Sequence, residues 1–234
     1  MEFKISDEIF ERFPGLNIGI VVARGIDNLG ESEEITKLIR EKEEEVKGTF
    51  NRETLSEIPK IQVWRHTYSS FGAKPKKYKC SVENLYRMIL EGVKLKHINK
   101  IVDIYNYISI KHMVPIGGDD IDNVDGDIAL KFAEGNEKFV ELNSQELKNP
   151  KPGEVVYVDD KEVLCRRWNW RECDKSKMTE STKNATLVIE GLPPVTEKEI
   201  KRIIQELSEL VQKFCGGEVS TKILTRDDPE WKIE

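Results

Sequence analysis

Histidine and cysteine are both scarce in this chain of 234 residues, which contains three histidines and four cysteines. The histidines lack the spacing of metal ligands, and the cysteines form neither a CxxC motif nor the dense framework of a small disulfide-bonded domain. The cysteines are Cys80, Cys165, Cys173 and Cys215. We therefore expect reduced thiols, no metal site and no bound cofactor.

Long apolar runs and nucleotide-binding motifs are also missing. No stretch of eighteen apolar residues occurs, and the opening MEFKISDEIF lacks the basic start and apolar run of a signal peptide. The sequence therefore predicts a cytoplasmic protein with no membrane partner. It contains no GxSxG, Walker or GxGxxG motif, which argues against serine hydrolases, nucleotide triphosphatases and dinucleotide enzymes. An EF-hand is excluded because Ile121 would occupy its first ligand position.

What the chain has in quantity is charge, at 34% of residues and a net value of −6. Abundant Lys and Glu are typical of soluble, thermophile-like proteins. A net negative charge opposes indiscriminate nucleic-acid binding, so the local placement of basic residues matters more than their number. The length suits one domain covering residues 1–234, in which residues 143–153 are a possible loop between two subdomains.

Hydrophobic periodicity predicts alternating strands and helices. Residues 16–24 are apolar and β-branched, as in a strand buried on both faces, and helical spacing occurs over residues 31–47, 81–92, 98–112 and 196–215. Strand patterns follow residue 127, including hairpins predicted to turn at residues 134–137 and 159–161. The end of the chain reads as a strand-helix-strand unit. We predict an α/β (α+β) single domain with a mixed, largely antiparallel sheet flanked by helices.

Some helix ends carry local signals. Gly48 is expected to end the first long helix, and the Ser81 hydroxyl to cap the second. Thr196 and Glu199 have the spacing of a capping box at the start of the last helix.

Residues 165–173, CRRWNWREC, concentrate three arginines and two tryptophans in an otherwise acidic chain. A strand here would send Arg166, Trp168 and Trp170 to one face and Arg167, Asn169 and Arg171 to the other. Guanidinium groups clamp phosphates and stack on aromatic rings, so the segment predicts a surface for a planar or phosphorylated partner. The alternative is a strand whose tryptophans cover the core while its arginines pair with carboxylates.

A basic segment between residues 60 and 79 has no acidic residue and four aromatic ones. Its basic residues are Lys60, Arg65, Lys74, Lys76, Lys77 and Lys79. Basic groups engage phosphates while aromatic rings stack on unpaired bases, so this segment favours single-stranded or terminal RNA as the partner. A solvated basic surface balanced by acidic neighbours is the alternative.

The helix at 98–112 and the loop after it carry further polar candidates. Ser109 falls inside the apolar arc of the helix and Asn106 at its edge, where each needs a backbone or ligand partner. Gly117 and Gly118 allow a backbone to approach an oxyanion, and the aspartates that follow could hold a hydroxyl or an amine. The alternatives are an internal hydrogen-bond network and a plain acidic turn.

Eight blocks in order resemble the tRNA-editing module of the phenylalanyl-tRNA synthetase beta subunit, its combined third and fourth domains, over residues 55–190. These blocks are FGAKPKKY, SVENLYRMILEG, INKIVDIYNYIS, VPIGGDDID, ALKFAEGNEKF, GEVVYVDD, CRRWNWRECD and MTESTKNAT. In that enzyme the module hydrolyses the ester that joins a wrong amino acid to tRNA. Apolar pockets discriminate small side-chain differences by only about 1–3 kcal/mol, so a second site must remove errors.

The resemblance implies a set of site residues. Backbone amides of Gly117 and Gly118 would stabilise the oxyanion, and Asp120 or Glu134 would bind the ammonium group or orient water. The substrate would contact Asn106, Ser109, Arg166, Trp168 and Asn169. The tRNA acceptor end would contact Arg65, Lys74, Lys76, Lys77, Lys79, Arg167 and Arg171.

The function expected from this resemblance is hydrolysis of misacylated tRNA in trans, with the tRNA acceptor end and its attached amino acid as the partner. One alternative is a noncatalytic module that binds tRNA or an amino-acid-like ligand. Another is an enzyme of small-molecule metabolism that reuses the fold.

Overall fold

The computed structural model describes residues 1–233, which form six α-helices and twelve strands, with short 3-10 turns at Leu55–Glu57 and Ile121–Asn123. The helices are α1 (Asp7–Arg12), α2 (Glu33–Thr49), α3 (Pro59–Ser70), α4 (Ser81–Leu90), α5 (Lys100–His112) and α6 (Glu197–Cys215). The strands are β1 (Glu2–Ile5), β2 (Asn17–Arg24), β3 (Ile116–Asp120), β4 (Ile128–Phe132), β5 (Phe139–Val140), β6 (Leu147–Lys148), β7 (Val155–Val158), β8 (Val163–Arg166), β9 (Arg171–Glu172), β10 (Asn184–Gly191), β11 (Glu218–Leu224) and β12 (Glu230–Lys232).

Two sheets dominate the structure. The six-stranded sheet has the order β12-β1-β4-β7-β8-β9, and the four-stranded sheet has the order β11-β2-β10-β3. Strands β1 and β4 are parallel, whereas the other pairs in both sheets are antiparallel. The predicted mixed and largely antiparallel α/β fold is confirmed. No helix within residues 1–233 has the length and apolar character needed to cross a membrane.

Strand β2 is the apolar strand predicted at residues 16–24, and it pairs with β10 on one side and β11 on the other. Helix α6 packs on this strand, closing the predicted strand-helix-strand unit. A side chain at Gly19 would meet Ile204 Cδ1 at 2.7 Å, so the close approach of helix and strand requires glycine there. Thr196 caps α6 by accepting from the backbone N–H of Glu199, which is one half of the predicted capping box, whereas the Glu199 carboxylate accepts from Lys60 instead.

Three local predictions are wrong. Gly48 lies inside α2, which continues to Thr49. Cys80 rather than Ser81 precedes α4, and the Ser81 hydroxyl is buried without a hydrogen-bond partner within residues 1–233. The turn at residues 134–137 does not join two paired strands, because β4 pairs with β1 and β7 while β5 pairs with β6. The second predicted hairpin, between β7 and β8, is confirmed.

Candidate functional site

A cavity of about 160 Å³ lies where the edges of the two large sheets meet. Strand β3 is an edge of the four-stranded sheet, and β9 is an edge of the six-stranded sheet. We call it the acidic cavity because Asp119, Glu172 and Glu190 line it. Its other walls are mostly apolar or aromatic, and they include Phe3, Ile116, Leu142, Tyr157, Trp168, Trp170 and Val188.

The hairpin between β8 and β9 supplies one side of this cavity. Arg167 and Trp168 have φ angles of 48° and 67°, so two successive non-glycine residues adopt the left-handed conformation. This turn sends Trp168 into the molecule, where it is fully buried against Trp64 and Phe13. Such strain costs free energy and persists only when surrounding contacts hold it. Here it places Trp168, Asn169 and Trp170 side by side on the cavity wall.

Asn169 connects the hairpin to Glu190 on β10. Its side-chain N–H donates to Glu190, its Oδ1 accepts from Tyr68 at 2.7 Å, and Glu190 also accepts from Tyr157 at 2.7 Å. Burial raises the pKa of Glu190 to about 7, although the hydrogen bonds from Tyr157 and Asn169 act in the opposite direction. The carboxyl group can therefore exchange a proton near neutral pH.

Asp119 and Glu172 form a second acidic pair in the same cavity. Burial raises the pKa of Glu172 to about 7, and the negative charge of Asp119 raises it further against the attraction of Arg171. Burial also raises the pKa of Asp119 to about 6, against a hydrogen bond from Ser176. Glu172 Oε1 lies so near Gly117 that a Cβ at that glycine would sit 3.2 Å away.

A second cavity of about 330 Å³ adjoins the first. We call it the basic cavity because Lys77, Lys79 and Arg171 line it, together with Asn106. The two cavities share the lining residues Ser81, Ile116, Trp170, Arg171 and Glu172. A cationic surface and an acidic recess therefore lie next to each other.

The basic segment of residues 74–79 reaches this position by docking on the hairpin. The guanidinium of Arg167 lies 3.9 Å from the ring centre of Tyr78 and 4.5 Å from that of Trp170. The two rings meet edge to face at 4.9 Å. These cation–π and aromatic contacts join the two segments that the sequence singled out separately.

Comparison with known proteins identifies the family. The B3/4 domain family matches residues 63–216, which is well over half of the chain. This chain belongs to the B3/4 domain family. The phenylalanine–tRNA ligase beta subunit of Fusobacterium nucleatum is 32% identical to it over 77 residues, covering 32% of this chain and 9% of that protein. An N-terminal fragment of the Pyrococcus horikoshii phenylalanyl-tRNA synthetase beta subunit superposes with a TM-score of 0.47 at 13% identity, covering 93% of this chain and 49% of that fragment.

Several residues predicted from sequence line the two cavities of this B3/4 domain protein. The acidic cavity contains Gly117, Gly118, Trp168 and Asn169, the basic cavity contains Asn106, Lys77 and Lys79, and Arg171 lines both. Lys74 and Lys76, which lie close to Lys77 and Lys79 in sequence, are exposed. None of the lysines in residues 74–79 pairs with a carboxylate in the part of the chain that the structure describes. Lys79 donates to the carbonyl of Lys76 at 3.2 Å, and Lys77 lies 5.2 Å from the ring centre of Tyr78.

The amides of Gly117 and Gly118 differ in their availability. The backbone N–H of Asp120 points away from β10 and donates to the Ser176 carbonyl, while the backbone N–H of Glu190 donates to the carbonyl of Pro115. Residues alternate between bonded and non-bonded positions along an antiparallel ladder. Gly117 therefore belongs to the ladder with β10, and the N–H of Gly118 points to the free edge of β3.

All four of the predicted arginines pair with carboxylates, and the most exposed of them, Arg171, contacts Glu141 at 3.1 Å. Arg166 makes a bidentate contact with Glu154, at 3.0 Å and 2.9 Å, and Arg167 contacts the same carboxylate at 3.1 Å. These three side chains are buried. Arg65 binds Glu83 at 2.8 Å. The predicted strand alternation through residues 165–173 is wrong, because the left-handed turn places Arg166 and Arg167 together.

Three predicted polar residues lie outside both cavities. Ser109 is buried and donates to the carbonyl of Val114, closing the end of α5. Asp120 is buried and accepts from the Thr182 hydroxyl and the Asp122 amide. The side chain of Glu134 is largely exposed beside Lys131. The carboxylates that line the acidic cavity are therefore Asp119, Glu172 and Glu190.

Glu172, Glu190, Tyr157 and Cys165 line the acidic cavity but were not predicted as site residues. A signal for Glu190 was present, because it is the single charged residue within the apolar strand ATLVIEG. Burial raises the pKa of the Cys165 thiol well above its usual range, so Cys165 is not a reactive thiolate. Residues 1–233 contain no group of three or more metal-ligating side chains.

Proposed function

We propose that this protein hydrolyses the ester bond between an amino acid and the terminal ribose of a misacylated tRNA, acting in trans. The observation that carries this proposal is the contact between the acidic and basic cavities. An aminoacyl-tRNA end has matching chemistry, because its phosphates are anionic and its α-amine is cationic. The name of the similar Fusobacterium nucleatum protein, the beta subunit of a tRNA ligase, supports the same assignment.

The basic cavity would hold the acceptor end. Lys77 and Lys79 can neutralise phosphates, and Asn106 can donate to or accept from a ribose hydroxyl. The half-buried ring of Trp170 lies between the two cavities and offers a surface against which a terminal base can pack. Lys74 and Lys76 would extend this cationic surface toward the rest of the acceptor end.

The acidic cavity would carry out the chemistry. Each oxygen of Glu190 accepts one protein hydrogen bond, which leaves lone pairs to orient a water molecule. A carboxylate that titrates near pH 7 is suited to act as a general base at neutral pH. Water attacks the ester carbon as its proton passes to Glu190, the Gly118 amide stabilises the oxyanion, and the departing ribose oxygen takes the proton back.

The direct test offers purified protein a panel of mischarged tRNAs and follows release of the amino acid. At least one should be hydrolysed faster than its spontaneous rate, and Glu190→Gln should reduce that rate by roughly 100-fold through loss of the base. Asn106→Ala should raise KM with a smaller effect on kcat, and Lys201→Ala on the exposed face of α6 should leave both unchanged. If no charged tRNA is hydrolysed, the enzymatic proposal is wrong. Retained binding at low salt would then favour a noncatalytic tRNA-binding module.

A further inference from the structure

The acidic cavity contains a pair of carboxylates that the proposed hydrolysis step does not use. Asp119 belongs to β3 and Glu172 to β9, so the facing edges of two different sheets bring them together. Asp119 accepts from Ser176, whereas the side chain of Glu172 makes no hydrogen bond or ion pair with any residue in the described range 1–233. Two carboxylates facing one recess repel each other, and either a retained proton or a cation between them relieves this repulsion.

Two of the cations near this pair are committed elsewhere, whereas Lys77 and Lys79 line the adjoining basic cavity with Glu172 but form no ion pair with it within residues 1–233. Arg171 lines the cavity, but its guanidinium pairs with Glu141 at 3.1 Å. Lys175 contacts Asp125 at 3.0 Å and Glu162 at 3.1 Å and also binds Asp159. The pair therefore has acceptor capacity that the described protein does not use.

A second, independent feature of the cavity is the indole N–H of Trp168. The Trp168 side chain is fully buried on the cavity wall, near Tyr157 and Glu190. Its Nε1 atom interacts weakly with the oxygens of Glu190 and Tyr157, but it makes no hydrogen bond of ordinary length and angle within residues 1–233. Buried indole nitrogens normally have a partner, so an unsatisfied one beside a cavity points to an acceptor supplied by a ligand.

We infer that Asp119 and Glu172 form the seat for the α-ammonium group of an aminoacyl ligand, whose acyl oxygen accepts from the Trp168 indole. The aminoacyl identity of this ligand rests on the proposed function. An α-ammonium group has three donors and one positive charge, which suit two acceptor side chains on one side of a recess. Gly117 keeps room for it, because a Cβ there would approach Glu172 Oε1 to 3.2 Å.

This seat defines a substrate class. A free, charged α-amine is required, and ligands whose amine is acylated are rejected because they leave the two carboxylates unpaired. The protein would therefore act on aminoacyl-tRNA and leave N-acetylaminoacyl-tRNA and peptidyl-tRNA intact.

The seat can be tested without tRNA by using amino acid amides, which keep the α-ammonium and the carbonyl but have no ester. Binding of a panel of amino acid amides and their N-acetyl derivatives is measured by calorimetry and by the NMR signal of the Trp168 indole, assigned with Trp168→Phe. We expect at least one amide to bind and to shift this signal, with the matching N-acetyl amide at least tenfold weaker.

Variants separate the seat from general damage to the cavity. Glu172→Gln and Asp119→Asn preserve shape and should each weaken amide binding about tenfold, and Gly117→Ala should weaken it by crowding Glu172. Glu218→Gln, an exposed change on β11, is the matched control and should bind like the parent. Circular dichroism establishes that each variant is folded.

The outcomes distinguish the seat from the proposed function. Equal affinity for amides and N-acetyl amides, no amide binding, or full affinity in folded Glu172→Gln would overturn the seat. Amide binding of the expected pattern without hydrolysis of any charged tRNA would support the seat and contradict the deacylase. Equally fast hydrolysis of aminoacyl-tRNA and N-acetylaminoacyl-tRNA would support the deacylase and overturn the seat.

Discussion

Asn169 donates its side-chain N–H to the carboxylate of Glu190, and this contact ties the strained hairpin to the four-stranded sheet. The same side chain accepts from Tyr68 on α3. One amide thus joins three elements at the wall of the acidic cavity, and both of its polar atoms are used. These partners fix the orientation of the amide, because the Tyr68 hydroxyl donates to its oxygen and the Glu190 carboxylate accepts from its nitrogen.

The first prediction concerns this amide. Asn169→Ala should lower the free energy of unfolding by about 1–3 kcal/mol, because it leaves the Tyr68 hydroxyl and Glu190 each short of a partner in a buried site. Chemical denaturation measures the loss. Asn149→Ala, which removes an exposed amide bond to the carbonyl of Glu137, is the control and should cost less. Equal losses in the two variants would contradict the network's role.

The second prediction concerns pH. The pKa of Glu172 is raised from 4.5 to about 7, so between these values the folded protein retains a proton that the unfolded chain has released. Its contribution to stability is therefore most favourable below about pH 4.5 and is lost as pH rises through 7. Glu172→Gln removes this dependence and should stabilise the protein above pH 7 by about 1–3 kcal/mol.

Thermal unfolding of the Glu172→Gln variant and its parent across this pH range provides the measurement. The difference in stability should shrink toward zero at low pH, where both side chains are neutral. A constant difference at every pH would show that the carboxyl group does not titrate in the expected window.

The third prediction tests whether Arg166 and Arg167 stabilise the fold or bind a ligand. Glu154→Gln should cost about 3–5 kcal/mol of stability, because it leaves the buried guanidiniums of Arg166 and Arg167 without their carboxylate. Glu146→Gln removes a partner of Lys148 from a much more exposed pair and should cost less than about 1 kcal/mol. Differential scanning calorimetry compares them. A small loss in Glu154→Gln would reopen a direct role in ligand binding for the two arginines.

The fourth prediction concerns the cationic surface. The double variant Lys77→Ala/Lys79→Ala should bind tRNA less tightly and with a shallower salt dependence, because fewer counterions are released. For the parent, affinity should fall roughly tenfold or more between about 50 and 200 mM salt. Fluorescence anisotropy of labelled tRNA measures both, with Lys201→Ala as the control. Binding that is insensitive to salt in the parent would favour a small-molecule ligand.

The parts of the fold that follow from local pattern could be predicted from the sequence. Strand β2, helices α5 and α6, the α6 cap and the β7–β8 hairpin each depend on residues close together in the chain. The strands that pair with β4 could not be predicted in this way. The next strand along the chain is β5, but β4 pairs with β1 and β7, which lie farther away in sequence.

The candidate site was predictable only in part for a related reason. Glycines, lysines and tryptophans stand out by composition, so Gly118, Lys77 and Trp168, which line the two cavities, could be selected from the sequence. Glu190 and Tyr68 acquire their environment through Asn169, which is 21 residues from one and 101 from the other. The two left-handed residues, Arg167 and Trp168, are types for which this conformation is uncommon, so nothing local indicated the turn.

Strands β1 and β2 precede residue 63, where the family match begins, yet each lies in the interior of a large sheet. β2 separates β11 from β10, and β1 separates β12 from β4. A fragment trimmed to the matched residues would expose the edge of β10 that pairs with β2 at eight positions and the edge of β4 that pairs with β1 at three, which invites aggregation. Any fusion or graft of this domain must therefore carry its first two dozen residues with it.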